Sequence, residues 1–147
     1  QTEIGYSFKM SNVVAALVLA QLERIETFVN KKRQIFKWYK KLLKNIDGLS
    51  INYQGPKTRS NMWMTSIVLD KKFKLGRDQL IKKLKAQLID TRPFFYPISM
   101  FPMYDEQDTP IAHHVSLNGI NLPSGLNLKE EQIAYICQTL VKLLLKK

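Results

Sequence analysis

Asn61-Met62-Trp63-Met64-Thr65-Ser66-Ile67-Val68-Leu69 is the stretch on which the fold turns. It is rich in Trp, Met, Ile and Val, residues that pack well on a pleated surface, and reads as the strongest strand of the chain. Upstream, Gln54-Gly55-Pro56 turns the chain out of a shorter strand over residues 49–53. Asp47-Gly48 ends the helical pattern before that, the glycine accepting a left-handed turn. This pattern covers residues 12–46, capped by Ser11 or Asn12, with apolar side chains mostly three or four apart at Leu19, Leu22, Ile25, Phe28 or Val29, Ile35 or Phe36, Tyr39 and Leu42 or Leu43. That is one buried stripe, too long for a single globular helix, so a break is expected near residues 26–30. Its opening, residues 13–20, is apolar all round and reads as buried on every side, as at an interface.

Downstream of the strong strand, residues 76–87 read as a helix with Leu80, Ile81 and Leu84 inward, and residues 88–91 as a third short strand. Thr109 or Asp108 caps a short helix running through Leu117. Asn127 followed by Glu130 has capping-box spacing before a last helix whose inward face carries Ile133, Ile136, Cys137, Leu140 and Leu144. The order predicts an α+β layer with a small, mostly antiparallel sheet, a single domain over residues 1–147.

Composition bounds the functions. The chain has 147 residues, and its 23 basic and 12 acidic residues give a net charge of +11, which favours a polyanion, an anionic ligand or simple solubility without choosing among them. One cysteine, Cys137, excludes an internal disulfide, fits a reducing compartment and, on an apolar helix face, reads as a buried thiol. Residues 13–20 form the longest apolar run, short of the ~20 residues that span a bilayer. No small-residue cleavage site follows it, so a signal peptide is not expected. The chain begins with Gln1, which raises the expectation of a fragment.

Arg92-Pro93-Phe94-Phe95-Tyr96-Pro97 is the segment that most resembles a binding surface. Its prolines steer Arg92 and Tyr96 out of helical geometry, making a stiff, exposed, amphipathic surface rather than a packed strand, on which one guanidinium can meet an anion. The alternative is a loop whose aromatics cap the core. Arg33, Lys37, Lys40, Lys41 and Lys44 share a face of the long helix, as a polyanion or nucleic-acid site would need, although no aromatic platform alternates with them. His113 and His114 are adjacent and point apart, without the spacing of a metal site. Asp105, Glu106 and Asp108 form an acidic loop suited to capping, and Gly5, Gly119 and Gly125 are too scattered for a phosphate loop. On these residues alone, no complete active site is present.

Several ordered blocks resemble a known family. Gly5-Tyr6-Ser7-Phe8-Lys9-Met10-Ser11-Asn12, Ala15-Ala16-Leu17 and Leu19-Ala20-Gln21-Leu22-Glu23-Arg24 are similar to the segment that opens the C-terminal domain of pyridoxal-phosphate-dependent sugar-nucleotide aminotransferases of the aspartate-aminotransferase fold (fold type I). Thr91 to Pro97, Gly119-Ile120-Asn121-Leu122-Pro123-Ser124-Gly125 and Glu130-Glu131-Gln132-Ile133-Ala134-Tyr135 follow in the family's order. Pro97-Ile98-Ser99 and Phe101-Pro102-Met103-Tyr104 most resemble its perosamine-forming branch. The resemblance implies a cytoplasmic homodimer with active sites at the subunit boundary. Glutamate would be the amino donor and a nucleotide-linked 4-keto-6-deoxy sugar the acceptor, with no nucleic-acid, membrane or metal partner.

The resemblance also implies that the lysine bearing pyridoxal 5'-phosphate lies outside this chain, which then holds no catalytic residue and is inactive alone. Lys9 and Asn12 are the expected contacts to the coenzyme phosphate of the opposite subunit; Arg92 and Phe94 are those expected for substrate. Three positions depart from the family pattern: Lys9 where arginine or asparagine is usual, Val18 where a small residue is common, and Asn118 where a charge often precedes the glycine. The competing reading is a stand-alone basic module that binds a polyanion through the lysine-rich helix face.

Overall fold

The two central strands of the sheet are β2 (Thr65–Leu69) and β4 (Gly119–Leu122). They are flanked by β1 (Leu49–Ile51) and β3 (Arg92–Pro93) in the order β1-β2-β4-β3, every pair antiparallel. The computed structural model describes residues 9–105 and 107–145. Glu106 and the Gly5–Phe8 part of the first family-like block lie outside them.

Register puts Ile67 opposite Ile120 and Thr65 opposite Leu122. Side chains alternate along strands, so these four share one face. Against it pack α2 (Ile25–Leu43), α3 (Arg77–Lys85) and α5 (Glu130–Leu144), in a core that includes Ile35, Tyr39, Leu80, Leu84, Ile133 and Leu140. Gly119 and Asn121 point the other way, toward α4 (Pro110–Asn118) and Phe94. The α+β class with a small antiparallel sheet agrees with the sequence reading, and so does the buried Cys137.

The long helix is two. α1 (Asn12–Leu22) ends at Glu23, and Arg24 leaves helical geometry at φ −112° and ψ 6°, a few residues before the expected break. The buried stripe belongs to α2 alone, through Ile35, Phe36, Tyr39 and Leu43. α1 buries nothing: Val13 is 67% and Leu17 65% exposed, so the burial expected around residues 13–20 is not supplied by this chain.

The strand expected over residues 88–91 is instead the stop of α3. Leu88 takes φ +59°, its N–H donates to the Lys85 carbonyl, and the Ile89 N–H reaches back to Leu84. That is a Schellman motif, completed by burial of both Leu84 and Ile89. The strand begins later, at Arg92, so the segment read as a surface rather than a strand starts as a sheet edge. Proline is tolerated there because the edge needs no second ladder of donors.

β4 was not expected, since Gly119 and Asn121 have poor strand propensity. β2 is shorter than the stretch that announced it, because Met62 takes φ +50° and Asn61 Oδ1 accepts from the Trp63 N–H in a turn. The caps differ as well. Lys129, not Asn127, precedes α5, with its N–H donating to Gln132 Oε1 at 2.9 Å. Thr109 precedes α4, but neither it nor Asp108 caps the helix through its side chain.

Candidate functional site

β3 delivers the Arg92–Pro97 segment to one end of the sheet, and Asn121 pins it. The buried Asn121 amide accepts from Ser66 Oγ at 2.7 Å and donates to the Pro93 carbonyl at 3.3 Å, tying β2, β4 and β3 together. The Phe94 N–H then donates to the Gly119 carbonyl at 2.9 Å. Gly119 has to be glycine here: a Cβ would lie 2.4 Å from the Val115 carbonyl and 2.7 Å from Phe94 Cβ. The missing side chain lets the aromatic segment lie directly on the α4–β4 junction.

Phe94 is half-buried and meets Phe95 edge to face, with centroids 5.6 Å apart. Phe95 in turn stacks on Trp63 at 6.1 Å and 20°. Phe95, Tyr96 and Trp63 are all more than half exposed, as the amphipathic reading of the segment expects. Beside them opens a groove of about 630 Å³, walled by Phe94 to Pro97 on one side and by Pro110, Ile111, Ala112 and Val115 of α4 on the other. Phe94 lines it; Arg92 does not. The Arg92 side chain is 75% exposed, with Nη2 at 2.9 Å from Asp90 Oδ2. An exposed pair of this kind contributes little to stability and parts readily for another anion.

The loop between the two walls is held by hydroxyls. Ser99, within the 3₁₀ turn at Ile98–Met100, places Oγ at 2.8 Å from Thr109 Oγ1 and at 3.1 Å from His113 Nε2. His114 turns instead to Asn118, 3.3 Å from its Nδ2. The two imidazoles therefore serve different neighbours. Arg77, which sequence reasoning missed, reaches the same region from α3 with a guanidinium that is 9% exposed. The hydrogen bond that its Nε donates to Asp78 Oδ1 at 2.7 Å, opposed by burial, raises its pKa further. A signal existed: arginine in the first turn of a helix runs against the macrodipole.

Lys9 and Asn12 stand at the head of α1, both exposed. Ser11 Oγ accepts from the Val14 N–H at 3.3 Å, and Asn12 Oδ1 from the Val13 N–H at 2.9 Å. An ammonium, a side-chain amide and the N-terminus of an 11-residue helix make a donor set that fits a phosphate dianion. Nothing in it can form a covalent link to a coenzyme aldehyde except Lys9 itself, which sits on open chain rather than in a cavity. Among the described residues, no hydrogen bond or ion pair joins this helix head to the Arg92–Pro97 segment. On the basic face of α2, Lys37, Lys40, Lys41 and Lys44 are exposed, while Arg33 Nε donates to the Ser60 carbonyl at 3.0 Å and so helps to fold the chain.

Residues 1–141 match the DegT/DnrJ/EryC1/StrS aminotransferase family. The chain is 41% identical over 140 residues to a GDP-perosamine synthase of Escherichia coli O157:H7, covering 93% of the chain and 37% of that relative. It is 36% identical to a GDP-perosamine synthase of Vibrio cholerae, again covering 91% of the chain and 37% of the relative. In architecture it is similar to Helicobacter pylori PseC, an aminotransferase involved in the biosynthesis of pseudoaminic acid, with a TM-score of 0.87 at 20% identity over 97% of the chain and 40% of PseC. The chain thus spans little more than a third of the length of the proteins it matches. None of them supports the polyanion-binding reading.

Proposed function

The chain belongs to the DegT/DnrJ/EryC1/StrS aminotransferase family, and from that premise we propose that it is the C-terminal domain of a pyridoxal-phosphate-dependent transaminase. The enzyme moves an amino group from glutamate to a nucleotide-linked 4-keto-6-deoxy sugar in the cytoplasm. The observation that carries this reading is the 41% identity to a GDP-perosamine synthase across nearly the whole chain. When bound, the coenzyme supplies the electron sink for amino transfer, and the lysine that carries it belongs to protein outside this chain.

The residues in hand bind and orient. Lys9 and Asn12 contact the coenzyme phosphate across a homodimer boundary, the donor set described above being suited to a dianion. Phe94 and the aromatic groove form one wall of the sugar site, and Arg92 exchanges Asp90 for a carboxylate or diphosphate of the substrate. The groove's apolar walls exclude water from one side of the sugar.

The test uses the complete protein that contains this chain, assayed with glutamate and GDP- or dTDP-linked 4-keto-6-deoxy sugar. Transfer to the GDP-linked substrate is expected, and absence of transfer to either overturns the reading. Lys9→Ala is expected to weaken coenzyme retention in equilibrium dialysis without unfolding, whereas Arg92→Ala raises KM roughly tenfold for glutamate or for the sugar nucleotide. Wild-type behaviour of either variant removes that residue from the site.

A further inference from the structure

Resting on the reading above, we propose that Ser99 is a positioning residue that sets the width of the aromatic groove and so aligns the keto sugar. The groove runs between two stretches of chain, residues 94–99 and α4, and each of its ends is tied by a different contact. At one end the Phe94 N–H donates to the Gly119 carbonyl at 2.9 Å. At the other, Ser99 Oγ lies 2.8 Å from Thr109 Oγ1 and 3.1 Å from His113 Nε2. Among the described residues, no other hydrogen bond joins residues 95–100 to Thr109 or α4. Without the Ser99 hydroxyl, the segment beyond Phe94 has no directional tie to the opposite wall.

Thr109 and His113 stand four residues apart, one helical turn, so both present side chains to the same serine. The His113 N–H donates to the Thr109 carbonyl at 3.0 Å, which fixes the pair. A threonine preceding a helix usually accepts from a first-turn N–H, yet the Thr109 hydroxyl makes no such cap and meets Ser99 instead. All three side chains are half-buried, where a hydrogen bond is shielded from competing water. With Nε2 bare, Ser99 donates to His113 and accepts from Thr109; with Nε2 protonated, the directions reverse. The tie survives in both tautomers. Ser99 itself sits in a closed turn, where the Met100 N–H donates to the Pro97 carbonyl at 3.0 Å and the Phe101 N–H to the Ile98 carbonyl at 2.9 Å. Pro97, Pro110 and Ala112 all line the groove, and each is within two residues of a tied side chain, so the tie acts on both walls.

The experiment compares Ser99→Ala, Ser99→Thr and the double variant Ser99→Ala with His113→Ala in the complete protein. Ser99→Ala is expected to raise KM for the GDP-linked 4-keto-6-deoxy sugar about tenfold, with kcat within about twofold and KM for glutamate unmoved. Ser99→Thr keeps the hydroxyl and should restore the sugar KM to within about twofold of the parent value. The double variant should be no worse than Ser99→Ala, because both substitutions cut one tie. An unchanged sugar KM in Ser99→Ala overturns the proposal, and so does a parallel rise for glutamate, which marks a merely structural loss. A threonine variant as impaired as the alanine one, or a double variant that is worse, overturns it too. A second readout does not need turnover, because Phe95, between the two tied ends, stacks on Trp63. In protein labelled with fluorotryptophan, the Trp63 resonance, assigned by its loss in Trp63→Phe, is expected to shift in Ser99→Ala and to stay in place in Ser99→Thr. A resonance unmoved in Ser99→Ala overturns Ser99 as a positioning residue, even in a protein that transfers no amino group. Absence of transfer with a shifted resonance instead removes the assigned reaction and leaves the geometric role of Ser99 standing.

Discussion

Leu88 occupies a position that leucine fills poorly. It holds φ +59° in the C-terminal stop of α3 and is 97% exposed, so its side chain contributes no packing to this chain while its Cβ strains the left-handed backbone. Leu88→Gly should therefore stabilise the chain by about 0.5–1 kcal/mol, the relief of strain being partly offset by the greater freedom of glycine in the unfolded state. A urea midpoint that rises bears this out; one that falls means the residue is not left-handed. Cys137 makes a different kind of prediction. Burial pushes its thiol from 9.0 up to about 12, since the thiolate is penalised in the core. The folded pKa lies above the unfolded one, so the stability linked to it is fully present below about 9 and is lost as pH climbs from there toward about 12. Cys137→Ala should flatten this alkaline decline, measured as unfolding free energy against pH, while an unchanged slope assigns the decline to other groups.

Among the elements, α1 departs furthest from its expected surroundings. It is apolar on all sides, which sequence periodicity reads as burial, yet it finds no partner within the described residues. Periodicity reports that a surface is to be covered but not by which polypeptide. Leu17→Asp should accordingly change the stability of the 147-residue chain by less than about 0.5 kcal/mol, as expected for an exposed site. The same substitution in the complete protein should lower the fraction of the proposed homodimer in sedimentation. A large loss of stability in the short chain would place Leu17 in a core that the structure does not contain.

Elsewhere legibility followed pattern strength. α2, α3 and α5 were readable because their apolar spacing is their reason for being buried. β4 was hidden because its centrality rests on features with low strand propensity: Gly119 for the close approach of Phe94, and Asn121 for side-chain bonds to Ser66 and Pro93. The stop at Leu88 was hidden for a related reason, a left-handed turn made without glycine.

For the molecule as a whole, fold and active site come apart. A continuous core runs through α2, α3, α5 and the sheet, so these 147 residues can specify an α+β layer. The groups proposed for chemistry lie outside that core, at the head of α1 and on the aromatic segment, and Lys9, Asn12 and Arg92 face solvent. Sequence blocks made the segment around Arg92 and Phe94 legible, but Arg77 escaped notice because its partner, the Ser116 carbonyl, is distant in sequence. Since the proposed phosphate contact at the head of α1 has no cavity beside it to enclose the coenzyme, the lone chain should not retain pyridoxal phosphate through gel filtration, whereas the complete protein should. The chain should likewise transfer no amino group from glutamate when supplied with the coenzyme and a keto sugar nucleotide. Coenzyme co-eluting with the 147-residue chain, in an amount that Lys9→Ala does not diminish, would mean that the chain holds a binding site other than the head of α1.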